Sequence, residues 1–258
     1  MPASLTRSSD EVGQVRGLYR PGDSGTDDQR DLAATSNGAC GSLSSVGDAV
    51  VGNAEWSGRR SVARPDPKDV AAYEAEFHAS SVGGPPPPLQ APIELCDYDP
   101  AWPQLYQREA ARIRSALGGR VVRLEHVGST SVPGLAAKPI LDLVLEVPDA
   151  ADEAAYVPAM EAAGYVLRIR EPEWYQHRLF KGPDTNINLH VFSAGCPDTD
   201  QMLRFRDWLR GNAGDRELYV RTKRELAARP WPSVQQYADA KTAVIGAILA
   251  RAQGGDTP

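Results

Sequence analysis

A glycine–serine turn ahead of a single acid in an apolar strand is the part of the sequence that could carry chemistry. Gly128 and Ser129 end a β-branched run, and a loop rich in Ser, Pro and Gly leads to the apolar stretch 140–147, which contains Asp142. A carboxylate in such surroundings is costly unless it is paired, bound to a metal or exposed in a cleft. The backbone N–H groups of a Gly-Ser turn are of the kind that hold phosphate. The pattern therefore predicts a metal and nucleotide site.

Side-chain alternation along stretch 140–147 decides what accompanies Asp142. The wholly apolar face, which must be core, carries Leu141, Leu143, Leu145 and Val147. Phosphoryl and nucleotidyl transfer use divalent metal held by carboxylates, and acids at i and i+2 of a strand lie roughly 6.6 Å apart, close enough to flank a metal pair. Here the i+2 position is Val144, and Glu146 lies roughly 13 Å from Asp142, where a solvated strand end is expected. The strand therefore supplies one acid.

Hydroxyl and cationic side chains near the turn are further candidates for phosphate contact. Thr130 and Ser131 add donors beside Ser129, and Lys138 lies on the same connection, within reach of a phosphate. Arg178 is a second candidate cation. For Lys138 and Arg178 a surface salt bridge is the competing interpretation.

Two histidines lie on neighbouring predicted strands. His190, in stretch 187–192, would complete a metal site or serve as a base if its strand lies beside that of Asp142. A satisfied core histidine is the alternative. His177 and Arg178 face opposite ways on the preceding strand, so only one of them can enter the site.

The chain divides into two unlike parts. Residues 1–90 hold 8 Lys+Arg and 12 Asp+Glu, are rich in Ser, Gly, Asp and Arg, and end in a proline run, so they are predicted to be a disordered extension. Residues 91–252 carry helical and strand periodicity, and 253–258 form a flexible tail. Stretches 176–180 and 187–192 read as a hairpin around a Lys-Gly-Pro-Asp turn, and three helices follow Asp198, the last one after Ser233. We expect an α+β domain with a C-terminal helical part.

Bulk composition excludes several classes of function. A formal net charge of −6 gives no electrostatic case for nucleic acid or an anionic membrane surface. The three cysteines are far apart and show no metal or disulfide spacing, and the start of the chain has no signal-peptide core, so a cytoplasmic protein is expected. The expected partner is a small molecule or nucleotide, and the oligomeric state stays open.

The segment from Glu125 to Leu143, EHVGSTSVPGLAAKPILDL, resembles the signature of the GrpB family. Later blocks at 189–192, 205–210 and 219–226 are also similar, and the resemblance covers about 93–250. It implies the fold of the nucleotidyltransferase superfamily, a short mixed β-sheet flanked by helices. The superfamily motif is Gly-Ser, a spacer, then acid-x-acid, with a third acid on a later strand. Gly128 and Ser129 match the Gly-Ser of this motif, and twelve residues separate Ser129 from Asp142, the first acid. The position of the second acid is occupied by Val144, which departs from the motif.

Two functions follow from this resemblance. The first is Mg²⁺-dependent nucleotidyl or phosphoryl transfer from a nucleoside triphosphate to a small-molecule or protein acceptor. In it Asp142 binds metal, His190 assists, and the Gly128-to-Ser131 turn with Lys138 or Arg178 holds phosphate. The second is a catalytically degenerate module that binds a nucleotide or phospho-ligand as an accessory to a metabolic enzyme, as the departure at Val144 suggests.

Overall fold

A mixed sheet forms the centre of the computed structural model, which describes residues 75, 78–84, 92–232 and 234–254. Within these ranges five strands lie in the order β1-β2-β5-β4-β3. Their bounds are β1 Arg123–Val127, β2 Leu141–Val147, β3 Val166–Glu171, β4 His177–Lys181 and β5 Ile187–Ser193. The β2–β5 pair is parallel and the other neighbours are antiparallel. This is the short mixed sheet that the sequence predicts for a nucleotidyltransferase-like α+β fold.

Helices flank the sheet and make up the C-terminal part of the described chain. Their bounds are α1 Trp102–Leu117, α2 Val157–Ala162, α3 Pro197–Gly211, α4 Ala213–Ala227, α5 Val234–Asp239 and α6 Thr242–Gly254. Short 3₁₀ turns occupy Gly118–Arg120, Ser129–Ser131 and Glu153–Ala155. No helix of the described ranges is both long and apolar enough to cross a membrane.

The two faces of the sheet have different partners. The predicted apolar face of β2 packs with α1 and α2 in the main core, together with residues of β5 such as Leu189 and Val191. The opposite face carries a smaller cluster in which Val144 and Phe192 meet Met202 of α3. Asp142 lies on this second face, so the alternation predicted for β2 is confirmed.

Glu146, on the same face, corrects one expectation. Its side chain is buried, with 2% of the residue exposed, and Arg123 Nε lies 3.6 Å from its Oε2. The expectation of a solvated strand end was wrong because strands lie on both sides of this position: Glu146 pairs with Arg123 of β1 and with Phe192 of β5.

Other predicted elements are recovered with one change in the helical part. The hairpin prediction is confirmed, since β4 and β5 pair in antiparallel register. The helix predicted after Ser233 is two helices, because the chain tightens at Lys241, whose N–H donates to Ala238 O at 3.2 Å, and restarts at Thr242. The disorder predicted for 1–90 lies outside the described residues apart from 75 and 78–84, where Ser81 bridges to Ile169 of β3.

Candidate functional site

The Gly128 turn lies directly against Asp142. Gly128 has φ 68° and ψ −175°, a conformation that is essentially restricted to glycine. A Cβ atom added there would lie 2.5 Å from Asp142 Oδ2. The backbone can approach the acid this closely only because position 128 has no side chain.

Asp142 is held by a neighbour on β5. Asn188 stands directly beside it in the parallel register, and Asn188 Nδ2 donates to Asp142 Oδ1 at 2.8 Å. On the other side, Lys181 Nζ donates to Asn188 Oδ1 at 2.7 Å. A polar row therefore crosses β4, β5 and β2 and fixes one oxygen of the buried carboxylate.

A small cavity of about 10 Å³ opens beside Asp142 and the Ser129 turn. The polar and aromatic members of its lining, among the described residues, are Ser129, Lys138, Asp142, Lys223, Tyr237 and Lys241. Three lysine side chains and one carboxylate thus line the same cavity.

Lys223 of α4 links the C-terminal helices to the turn. Its Nζ lies 2.6 Å from Ser129 Oγ and 2.6 Å from the carbonyl oxygen of Ala136. It also lies 4.8 Å from the ring centroid of Tyr219. With 1% of the residue exposed, Lys223 is one of the largest fully buried side chains in the described chain.

Tyr237 of α5 provides an aromatic face for two lysines. Lys241 Nζ lies 4.8 Å and Lys138 Nζ 5.3 Å from its ring centroid. A cation over an aromatic face is attracted by the ring quadrupole. Tyr237 and Lys241 are themselves almost completely buried. The break between α5 and α6 places Lys241 at this wall of the cavity.

The remaining hydroxyls of the turn serve the turn itself. Thr130 Oγ1 lies 2.9 Å from His126 Nε2, and Ser131 Oγ donates to the carbonyl of Gly128 at 2.6 Å. Burial lowers the pKa of His126 to about 3, with Arg210 and Arg206 adding to the effect, so its ring is neutral near pH 7. Of the three predicted hydroxyl contacts, only Ser129 lines the cavity.

His190 belongs to a buried chain of hydrogen bonds on the Asp142 face. Because β5 lies beside β2, His190 is next to Val144, one row along from Asp142. Its Nδ1 lies 3.0 Å from His177 Nε2, and His177 Nδ1 lies 2.8 Å from Glu171 Oε2. His190 is thus near the cavity but engaged with His177, and the structure shows its ring as part of a polar core network.

Arg178 is the predicted site residue that the structure places elsewhere. It pairs with Val191, so it points to the face opposite Asp142. There Arg178 Nε donates to Glu153 Oε1 at 2.6 Å. Hydrogen bonds from Arg170 and Arg178 hold the pKa of Glu153 below its usual range. Of His177 and Arg178, the histidine is the one on the site's face.

The donor set does not fit a resident Mg²⁺ centre. Mg²⁺ favours several oxygen ligands in octahedral geometry. In the described lining Asp142 is the one carboxylate, three lysines share its cavity, and the second acid position is the buried Val144. Within the described chain there is also no group of three or more His, Cys, Asp or Glu side chains that could hold a metal. No step through a protein-bound metal is therefore derived.

Lys223, Tyr237 and Lys241 are the site residues that sequence reasoning missed. They lie more than 80 residues after Asp142 in the sequence, on α4, on α5 and in the turn after α5, none of which carries a phosphate motif. One compositional signal was available: the chain has five lysines against 23 arginines, and the four after residue 90 are Lys138, Lys181, Lys223 and Lys241. All four lie at this site, three in the lining and Lys181 through Asn188.

Comparisons with known proteins show what this chain is similar to. The chain is 61% identical over 165 residues to the UPF0157 protein BH1888 of Halalkalibacterium halodurans, a match covering 64% of this chain and 85% of that protein. It is 30% identical over 178 residues to the dephospho-CoA kinase of Mycolicibacterium paratuberculosis, covering 59% of this chain but 44% of that protein.

A solved structure and a family model cover the same region. The crystal structure of the conserved protein GrpB from Enterococcus faecalis matches with a TM-score of 0.56 and 30% identity, covering 62% of this chain and 98% of that one. The model described as GrpB protein matches residues 92–251, which include the turn, β2 and all four site lysines. The chain belongs to the GrpB family.

Proposed function

We propose that the domain is a binding module for a small phosphate-bearing molecule, held at the lysine-lined cavity without a resident metal. The observation that carries the proposal is the convergence of Lys138, Lys223 and Lys241 on one cavity beside Ser129. Lysine ammonium groups bind phosphate as point charges, and a buried cation is favoured when an anion accompanies it. With three lysines to one carboxylate in the described lining, an anion is the fitting occupant.

The size of the cavity sets a condition on binding. At about 10 Å³ it has room for roughly one water molecule, whereas small-molecule sites span several hundred Å³. A phosphate group can enter only if side chains of the wall move, and Tyr237 and Lys241 belong to the short α5 and the turn after it. The rest of the ligand would extend outward from this wall.

The relatives support a nucleotide or coenzyme precursor as the ligand class. Part of a protein named dephospho-CoA kinase is similar to this chain. Nucleotides and such precursors both carry phosphate, which the lysines recognise. The match covers 44% of that protein, so a segment similar to this chain forms part of a larger protein with an enzyme's name, which supports an accessory role.

Mg²⁺-dependent nucleotidyl or phosphoryl transfer is a second proposal. It is supported by the contact of the Gly128 turn with Asp142, which keeps a Gly-Ser turn and its acid together. Mg²⁺ and a nucleoside triphosphate would have to arrive as one complex, since the described lining of the cavity offers one carboxylate. If this is correct, nucleotide binding requires Mg²⁺ and is lost in Asp142→Asn.

Calorimetric titration of the full chain tests the first proposal. Inorganic phosphate, pyrophosphate and ATP are titrated in EDTA into wild type, Lys241→Met and Lys138→Met. Loss of one charge-assisted contact of about 1.5–3 kcal/mol should weaken binding roughly 10- to 100-fold. Arg224→Met is the matched control, because Arg224 is an exposed cation 3.7 Å from Asp97 and outside the lining. Equal affinity in all four proteins, or no binding, contradicts the proposal.

A further inference from the structure

The contact between Ser129 and Lys223 has the geometry of a nucleophile and its base. Ser129 Oγ and Lys223 Nζ are 2.6 Å apart, and both residues are almost completely buried. Serine becomes nucleophilic when an adjacent base takes its proton, and Ser-Lys pairs are one known form of this arrangement. We propose that Ser129 is a nucleophile toward phosphorus, with Lys223 as the base.

The second contact of Lys223 is consistent with a neutral amine. Such an amine has two N–H groups and one lone pair. As an ammonium, Nζ donates to both Ser129 Oγ and the carbonyl oxygen of Ala136, each 2.6 Å away. After loss of one proton it can keep the bond to the carbonyl while its lone pair accepts from the Ser129 hydroxyl. The bond to the carbonyl therefore keeps Nζ next to the serine.

The other lysines of the cavity supply the remaining requirement of phosphoryl transfer. Its transition state carries negative charge on the phosphoryl oxygens, and fixed cations stabilise that charge. Lys138 and Lys241 line the same cavity as Ser129. Three ammonium groups in one buried cavity repel one another, and release of one proton relieves that repulsion. The inference rests on the proposed function, because the same lysines hold the phosphate.

The step balances with an activated phosphate donor, either an acyl phosphate or a phosphoric anhydride. The Ser129 Oγ–P bond forms as the bond from phosphorus to the leaving oxygen breaks. The serine proton moves to Lys223 Nζ and then to the leaving group or solvent. The product is a phosphoserine at position 129 and a free carboxylate or shorter phosphate.

Labelling with diisopropyl fluorophosphate tests the nucleophile without requiring the lysines to bind a charged phosphate. The reagent is uncharged; the Oγ–P bond forms, the P–F bond breaks and fluoride leaves. Mass spectrometry of the full chain should place one adduct on Ser129, and Ser129→Ala should show none. Lys223→Arg should label at least about 100-fold more slowly, because arginine keeps hydrogen-bond donors but stays protonated and cannot take the serine proton. Thr222→Ala is the control, since Thr222 bonds its own helix at Leu218 O.

The outcomes separate the two proposals. Absence of the adduct in folded wild type overturns the proposal that Ser129 is a nucleophile. Unchanged labelling in Lys223→Arg also overturns it, because Lys223 would then only hold α4 against the turn. Thermal melting of each variant establishes that it is folded. If labelling fails while phosphate still binds in calorimetry, only this inference falls. If labelling occurs and phosphate does not bind, the nucleophile stands and the proposed function falls.

Discussion

Gly128 and Asp142 approach each other so closely that a side chain at position 128 would collide with the carboxylate. A Cβ atom there would lie 2.5 Å from Asp142 Oδ2 and 3.0 Å from Asp142 Cβ. The turn and the acid therefore form one unit, in which the backbone conformation of Gly128 sets the position of Ser129 relative to Asp142.

Substitution of Gly128 tests this unit. Gly128→Ala should cost more than the roughly 1–3 kcal/mol of backbone strain at such a conformation, because the clash with Asp142 adds to it. Gly134→Ala is the matched control: Gly134 also has a positive φ of 76°, but a Cβ atom added there would meet nothing within 4 Å. Denaturant unfolding of both variants measures the difference. Equal losses of stability would contradict the close contact.

Asn188 should be required to hold Asp142 in place. Asn188→Leu removes the donor to Asp142 Oδ1 and leaves a buried carboxylate with one contact fewer, at a cost of about 1–3 kcal/mol in the free energy of unfolding. Lys181→Met removes only the outer contact of the row, on a half-buried side chain, and should cost less. Urea unfolding measures the loss of stability in both variants. A larger loss in Lys181→Met than in Asn188→Leu would contradict the prediction.

His126 should make the fold sensitive to acid. Its pKa falls to about 3 in the folded protein from 6.5 in the unfolded chain, so below pH 6.5 the unfolded chain binds the extra proton. Stability is therefore complete above pH 6.5 and declines as the pH falls toward 3, by about 1.4 kcal/mol per pH unit. Unfolding of wild type and His126→Gln between pH 7 and 4 should show a shallower decline in the variant. Parallel curves would contradict the prediction.

The chain of Glu171, His177 and His190 predicts one tautomer for both rings. Burial favours neutral imidazoles. His177 Nδ1 then carries the proton that faces Glu171, its Nε2 accepts, and His190 Nδ1 donates to it. Nitrogen chemical shifts in NMR should report a protonated Nδ1 in both histidines. A protonated Nε2 in His190 would reverse the direction of the chain.

Local pattern was sufficient for the sheet and for the turn–acid pair. The alternation of Leu141 to Val147 follows from burial of one face against α1 and α2, and the Gly-Ser turn lies directly against the acid of β2. The burial of Glu146 could not be predicted from the local sequence, because it depends on the strands that pair with β2 on both sides.

The cations of the site were beyond the reach of local pattern. Lys223 lies on α4 and Lys241 in the turn between α5 and α6, and tertiary packing brings both to the Ser129 turn. Neither has a characteristic spacing from Ser129 in the sequence. Arg178 shows the same limit, because whether a strand residue meets the site or Glu153 depends on the register of β4 against β5. The scarcity of lysine in the chain was the one sequence signal that pointed to the lysines of the site.

The most direct test is calorimetric titration of pyrophosphate into wild type and Asp142→Asn, each in EDTA and in Mg²⁺. Asparagine keeps an oxygen to accept the hydrogen bond from Asn188 while removing the negative charge from the lining. A lysine-based anion site predicts that pyrophosphate binds in EDTA, and that Asp142→Asn binds at least as tightly as wild type. Binding that appears only with Mg²⁺ and disappears in Asp142→Asn would contradict the account.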